Sequence, residues 1–520
     1  MTGPGLPQRG PAASRGSAPQ RRRPAGVAVD PARLAAWQTL RAVTEDDAYA
    51  NLVLPKRLRQ ARLHGRDAAF ATELTYGTLR GRGTYDAVIA ACSDRRLSGI
   101  DPAVLDALRL GVHQLLAMRV PAHAAVDATV DLVRAEIGRG TAGFVNAVLR
   151  KVAADDLPDW LARIIPEGAS EDTRLALTHS HPEWILRALR DSLAVAGRNR
   201  DELPELLAAD NAPAELTLTA LPGLVAPEEL QRQTHGAAGR LSPYAVRVTG
   251  EPGGIAAVRS ARARVQDEGS QVVALALADA ALTGGAGSEG TAVPVDHGQW
   301  LDMCAGPGGK AALLSAVLRE RRLAGELPPS ARLIANEISE HRAELVRSSL
   351  AGVLAAATPG GPVAEVRVGD ARDAEALRTA LRPGPVTAGA AQGYDRILLD
   401  APCTGLGALR RRPESRWRRT PADVGALAGL QRELLNAGLD LLRPGGVLAY
   451  VTCSPHPAET SMVVDDVLRS RRKASAATGS SPGPGVMPLA ERLCPDRRLW
   501  PHVDGTDAMF VALLGTPADG

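Results

Sequence analysis

From about residue 262 the chain repeats one pattern, a short apolar run of strand length followed by a stretch long enough for a helix. The runs fall at 299–303, 331–335, 364–368, 395–399 and 446–451. Strands separated by helices pair in parallel, and continuous apolar runs suit a sheet covered on both faces. The spacing therefore predicts an α/β domain over 263–516 with a mostly parallel, doubly wound sheet. Gly-, Ala- and Pro-rich loops at 281–298, 356–363 and 382–393, and a tail-like insert at 470–486, read as surface insertions without chemistry.

The first part of the chain has a different texture. Asp30-Pro31 and Asp101-Pro102 each read as an N-cap followed by a first-turn proline. Helical stripes follow them: Leu34, Trp37 and Leu40, then Val104, Leu105, Leu108, Val112 and Leu115. With further stripes through Val126, Val130 and Val133 and through Val145, Val148 and Val152, residues 30–153 read as an all-helical domain. Residues 154–262 read as a helical linker, broken at Ser180-His181-Pro182, running into a small α/β region with short strands at 215–221 and 244–249. Residues 1–29 are rich in Gly, Pro, Ala and Arg, carry no acid, and read as a disordered basic tail. A weak affinity for RNA and no role at all are equally open for that tail.

Composition narrows the class. The chain of 520 residues is 45% hydrophobic and 23% charged with a formal net charge of +3, so any surface for a polyanion must be local. No run of about 18 apolar residues exists to span a bilayer, and no apolar segment resembles a secretory signal. Five cysteines, at 92, 304, 403, 453 and 494, form neither a paired framework nor a metal-binding CxxC cluster. A cytoplasmic, reducing setting without a metal is expected. Aromatic residues make up 3% of the chain, too few for a broad base-stacking platform.

The chemistry gathers at strand ends. Trp300 to Lys310 reads as a strand, a glycine-rich turn and a helix start, a place where backbone approaches a ligand closely. A P-loop would need Gly at 304 and Ser or Thr at 311; Cys304 and Ala311 stand there. Later apolar runs end in Glu337, Asp370 and Asp400, at the edge where doubly wound sheets bind ligands. Any one of these acids alone is more often a cap or turn residue. Cys403, in Asp400-Ala401-Pro402-Cys403, and Cys453, in Thr452-Cys453-Ser454-Pro455, each follow a strand, and neighbouring parallel strands would bring them together. Reactive thiols are the reading; a disulfide is the rival.

The segments DMCAGPGGK, ANEIS, VGDARD, LLDAPCTGLG and VTCSP, in that order, resemble the motifs of the Nop/Sun family of RNA 5-methylcytosine methyltransferases. Val265 to Gln271 resembles the segment that opens that family's catalytic domain, and Gly505 to Phe510 the strand that closes it. The helical N-terminus, with Gly143 to Arg150, is similar to NusB, and the pairing resembles the bacterial Sun-type 16S rRNA enzymes. The likeness covers about 30–515. It implies a NusB-like RNA-binding domain, a Rossmann-like class I methyltransferase domain, and S-adenosylmethionine as methyl donor. Carried over, Cys304, Ala305, Gly306, Pro307, Gly308, Gly309 and Lys310 line the donor, Glu337 holds its ribose hydroxyls, Asp370 flanks the adenine, and Asp400 borders donor and base. Gly306, Ala311 and Glu337 stand where the family more often has Ala, Thr and Asp.

The resemblance further implies that Cys453 adds to carbon 6 of a cytosine, Cys403 assists release, and Asp400 hydrogen-bonds the ring. Carbon 5 is a poor nucleophile until a thiolate at carbon 6 turns the ring into an enamine. A second thiol points to RNA rather than DNA. Small-subunit rRNA, naked or within an assembly particle, is the expected partner. The same chemistry on tRNA, or a non-catalytic ribosome assembly factor, are the alternatives. Six arginines between Arg410 and Arg419 are expected to meet phosphates, and Trp417 to stack on a base or to anchor the loop. Arg57, Arg59, Arg62 and Arg66 could form a second patch, though a solvated face is the expectation there.

Overall fold

The computed structural model describes residues 29–282, 295–356, 358–381, 393–477 and 489–516. The basic tail before residue 29 lies outside them, as do parts of the loops at 281–298 and 382–393 and most of the insert at 470–486.

Seven α-helices come first among the described residues: α1 (Pro31–Glu45), α2 (Ala50–Gln60), α3 (Gly65–Arg80), α4 (Arg82–Cys92), α5 (Pro102–Leu116), α6 (Ala122–Glu136) and α7 (Arg139–Val152). The Asp-Pro signals act as expected. Asp30 accepts the Arg33 N–H at 2.8 Å and Asp101 the Ala103 N–H at 2.8 Å, each cap contributing about 1 kcal/mol. The apolar stripes converge on one core around Leu74, Ile89, Leu108, Leu132 and Leu149.

Four linker helices follow, α8 (Leu157–Ile164), α9 (Glu171–His179), α10 (Glu183–Val195) and α11 (Leu203–Asn211). The break at Ser180-His181-Pro182 separates α9 from α10, with Ser180 in the left-handed region. A small sheet comes next: β1 (Leu216–Ala220), β2 (Ala237–Ala238), β3 (Ala245–Val248) and β4 (Ala263–Val265), in the order β2-β3-β1-β4. It packs with α12 (Pro227–Thr234) and α13 (Ala256–Arg259).

The C-terminal region alternates as the apolar runs predict: α14 (Glu268–Asp279), β5 (Gln299–Asp302), α15 (Gly309–Leu323), β6 (Arg332–Glu337), α16 (Glu340–Ala355), β7 (Ala364–Val368), α17 (Ala374–Arg378) and β8 (Tyr394–Asp400). Then come α18 (Ser415–Arg418), α19 (Pro421–Leu441), β9 (Leu442–Thr452), α20 (Ser461–Ala477), β10 (Glu491–Arg492), β11 (Arg497–Leu499), α21 (Pro501–Asp504) and β12 (Met509–Gly515). Strands β7, β6, β5, β8 and β9 are mutually parallel, and β12 adds antiparallel to β9, with β10 and β11 on its far edge. The sheet is Rossmann-like and mostly parallel. Its order reverses at β5, so the loops after β5 and β8 open a crevice at the carboxyl edge. One expectation needs correction: residues 470–477 belong to α20, because Arg471 folds inward onto Asn436 and Asp440 and extends the helix. No helix among the described residues is long and apolar enough to cross a membrane.

Candidate active site

The turn after β5 is shaped by its glycines. Gly306 (φ 58°) and Gly308 (φ 87°) adopt left-handed backbone, and a Cβ on Gly308 would come within 2.6 Å of Ser349 Cβ. Asn336 ties this turn to the one after β7, donating to the Met303 carbonyl at 3.1 Å and the Gly369 carbonyl at 3.0 Å. Glu337, buried at the end of β6, accepts the Gly306 N–H at 3.0 Å and pairs with Arg342 at 3.2 Å. Asp370 is more exposed and holds Arg372, whose guanidinium keeps its carboxyl below the usual range. Cys304 is a half-buried thiol, its pKa pushed up by desolvation and then by Asp302.

Asp302 ends β5 as the other acids end their strands, yet sequence reasoning passed over it. It is fully buried, and neither oxygen completes a hydrogen bond, although the Cys304 N–H lies nearby. Burial first, then the charge of Asp400, pushes its pKa up to about 8. Lys310 sits between the acids, its Nζ 2.9 Å from Asp400 Oδ2. Lys310 answers Asp400 and Arg342 answers Glu337, which leaves Asp302 as the acid of this set without a cation in contact. Such a donor set fits a ligand that carries an ammonium and a sulfonium.

Cys403 and Cys453 face each other across the ends of β8 and β9. Both are free thiols, with sulfurs 3.3 Å apart, a hydrogen-bonding contact rather than a disulfide. The pair is polarised. The Cys403 S–H bond lowers the Cys453 pKa, with Lys310 and Arg412 adding to it against burial and Asp400. The same bond, then burial and the charges of Cys453, Glu459 and Asp400, raise that of Cys403.

The Cys403 loop is held from beneath by Glu459, a buried carboxylate that accepts the Thr404 N–H at 2.7 Å and the Thr404 hydroxyl at 2.5 Å. Gln431 donates to the Pro402 carbonyl at 2.8 Å, and the Tyr450 hydroxyl donates to Gln431 and to the Glu459 carbonyl. Nothing local in the sequence marks Glu459, because its partner lies 55 residues away.

The arginine run does not do what its composition predicts. Arg410 and Arg411 both bridge Asp267 and Asp507, joining the segments that open and close the domain. Arg416 is fully buried and donates to the Arg80, Ser180 and Asp210 carbonyls and to Asn211 Oδ1. Arg418 donates to the Val43 and Ala48 carbonyls, and the Glu414 carboxylate accepts the first N–H of α2, from Ala50. Trp417 anchors the loop: a Cβ on Gly83 would lie 2.4 Å from its ring. Leu406 and Leu409 pack into an apolar cluster with α10 and α11. The run is therefore a strut between the halves of the molecule, because short-range charge density cannot distinguish phosphate from buried carbonyls as its partner. Only Arg412 among the six stays exposed, over the Tyr49 ring at 5.1 Å.

A family model described as 16S rRNA methyltransferase RsmB/F matches residues 291–515, and a NusB family model matches 30–154. The Mycobacterium tuberculosis protein Rv1407, named as a methyltransferase without a stated substrate, is 49% identical over 498 residues, covering 95% of this chain and 99% of the relative. Ribosomal RNA small subunit methyltransferase B of Erwinia tasmaniensis is 30% identical over 493 residues, covering 93% and 98%. The solved structure of PH0851 superimposes with a TM-score of 0.69 at 20% identity, over 94% of this chain and all of that one, a likeness of fold.

Proposed function

The chain belongs to the RsmB/F family of 16S rRNA methyltransferases, and from that premise we propose that it methylates carbon 5 of a cytosine in small-subunit rRNA through a covalent cysteine adduct. The observation that carries this reading is the polarised thiol pair, 3.3 Å between sulfurs, beside the Lys310–Asp400 pair.

Cys453, held toward its thiolate by the Cys403 S–H and Lys310, attacks carbon 6 of the flipped base. Asp400, with Oδ2 engaged by Lys310, offers Oδ1 to the ring and steadies the protonated adduct. S-adenosylmethionine, when bound, supplies the electrophilic methyl that carbon 5 takes up. For that donor, the turn from Cys304 through Ala305, Gly306, Pro307, Gly308 and Gly309 to Lys310 lines the methionine and ribose region. Glu337 grips the ribose hydroxyls, Asp370 flanks the adenine, and the orphaned Asp302 carboxylate faces the donor's positive charge.

Release needs a base for the carbon 5 proton. While Cys453 is a thiolate, its charge keeps Cys403 protonated. Once the Cys453 sulfur is bonded to carbon 6, that hydrogen bond and charge are gone, and loss of the Cys403 proton to water is opposed only by burial, Glu459 and Asp400. The Cys403 thiolate then removes the carbon 5 proton, and the Cys453–carbon bond breaks to restore the aromatic ring.

Bisulfite sequencing of unmodified 16S rRNA and total tRNA after incubation with the protein and S-adenosylmethionine tests this. One protected cytosine in the rRNA is expected. Protection in tRNA alone overturns the substrate, and protection in neither of these nor in a small-subunit assembly particle overturns the reaction.

A further inference from the structure

With the arginine strut buried between domains, the RNA needs another cationic surface, and the stretch expected to be bland supplies one. No acid occurs between Asp47 and Asp67, while Lys56, Arg57, Arg59, Arg62 and Arg66 fall inside that interval. All but the half-buried Arg57 are exposed, and none makes an ion pair or side-chain hydrogen bond among the described residues. Elsewhere in the same domain Arg33, Arg41 and Arg109 are each engaged by a carboxylate or amide.

Two of these residues stand where local structure disfavours them. Arg62 occupies the left-handed turn after α2 (φ 53°), a position glycine takes at lower cost. Arg66 lies in the first turn of α3, where a positive charge opposes the helix dipole. Arg57 and Arg59, in the last turn of α2, do complement a dipole, so the helix alone accounts for them but not for the others.

The direction of α2 connects this surface to the thiols. Its first N–H is capped by Glu414 of the strut, and Tyr49, just before it, lies under Arg412. Arg412 in turn is close enough to Cys453 to favour its thiolate. From that root α2 extends for 11 residues, about 16 Å, or roughly five nucleotides of a helical strand. Exposed Leu52, Lys56 and Arg59 follow one another along its outer face.

We propose that the outer face of α2 and the turn into α3 form the track for the RNA backbone, with Lys56, Arg59, Arg62 and Arg66 on phosphates and Arg412 leading the strand to the thiols. The track rests on the reading of the chain as an RNA methyltransferase, and binding and methylation are scored separately.

The test compares the full chain with its Lys56→Gln/Arg59→Gln/Arg62→Gln/Arg66→Gln variant by filter binding to protein-free 16S rRNA across a salt series. The slope of log affinity against log salt should shrink by about 3, since each lost phosphate contact removes about 0.7–0.9. KM for rRNA should rise at least tenfold (an order-of-magnitude expectation from the same electrostatics) with kcat nearly constant. Should the variant not fold, Arg62→Gly replaces Arg62→Gln and relieves the left-handed position. An unchanged slope in a folded variant overturns the track. So does an equal loss per charge in Arg472→Gln/Lys473→Gln, on the exposed face of α20. Wild-type protein that binds with the expected slope but protects no cytosine leaves the track standing and removes the methylation reading. Wild-type protein without salt-dependent binding removes the track whatever the methylation result.

Discussion

The sulfurs of Cys403 and Cys453 meet at 3.3 Å although the two residues follow different strands and stand 50 positions apart. The parallel register of β8 on β9, which pairs Asp400 with Val451, fixes that meeting. Glu459 on one side and Lys310 with Arg412 on the other bias the shared proton toward Cys403.

Cys453→Ala is expected to abolish methyl transfer and adduct formation, a loss of at least about 10³-fold for removal of a nucleophile. Donor affinity, measured by calorimetry, should stay within about twofold because no donor-lining residue changes. Turnover by this variant would reassign the nucleophile.

Cys403→Ala should slow adduct formation, because the S–H bond that favours the Cys453 thiolate is lost, and block release. A protein–RNA band that survives denaturation is expected to accumulate with time in the presence of donor. Equal band intensity in wild type and variant would separate Cys403 from release.

Asp302 gives donor binding a pH dependence of defined sign. Its carboxyl is held neutral by burial up to about 8, and a cationic ligand binds the ionised form better. Donor affinity should therefore climb as pH rises toward 8 and level off above it, with proton release on binding at pH 7. Asp302→Asn should flatten that climb and weaken binding at pH 8 by about 1–2 kcal/mol, roughly five- to thirtyfold. Titration calorimetry in buffers of different ionisation enthalpy reads both; no proton release would remove Asp302 from the donor site.

What could be read in advance follows the range over which each residue acts. The strands, and the acids that end them, were legible because strand length and apolarity are local. The same locality put Asp400, Cys403 and Cys453 at one sheet edge. Asp302 obeys the same rule but was absorbed into its glycine-rich motif. Glu459 and Arg416 were not legible, since the contacts that define them join Thr404 to a residue 55 positions later and Arg80 to one 336 later. The stretch 470–486 looks like an insert until Arg471 is seen to turn inward and carry α20 on to Ala477.

Glu459→Gln keeps the side chain's shape and an acceptor for the Thr404 N–H while cancelling one of the charges that, after the Cys453 hydrogen bond and burial, raise Cys403. The ionisation of Cys403 should fall toward that of Cys453. Alkylation by iodoacetamide at pH 7, mapped by mass spectrometry, should shift from Cys453 alone toward labelling of both thiols. An unchanged labelling ratio in a folded variant would reduce Glu459 to a support for the loop.

Arg416 binds the catalytic loop to the helical half, and its removal separates two roles that a stability measurement alone would merge. Arg416→Ala leaves the Arg80, Ser180 and Asp210 carbonyls and Asn211 without their donor in a buried interface, a cost of about 3 kcal/mol or more. Because the strut is continuous with the Cys403 loop, faster hydrogen exchange is expected both at the end of α3 and across 403–414. A displacement of the thiols by about 1 Å would lower kcat on the order of a hundredfold. Donor binding should hold, since the turn after β5 is stitched through Asn336 and Glu337 and not through the strut. Loss of exchange protection confined to the helical half, with kcat intact, would show that the strut joins the domains without setting the geometry of the thiols.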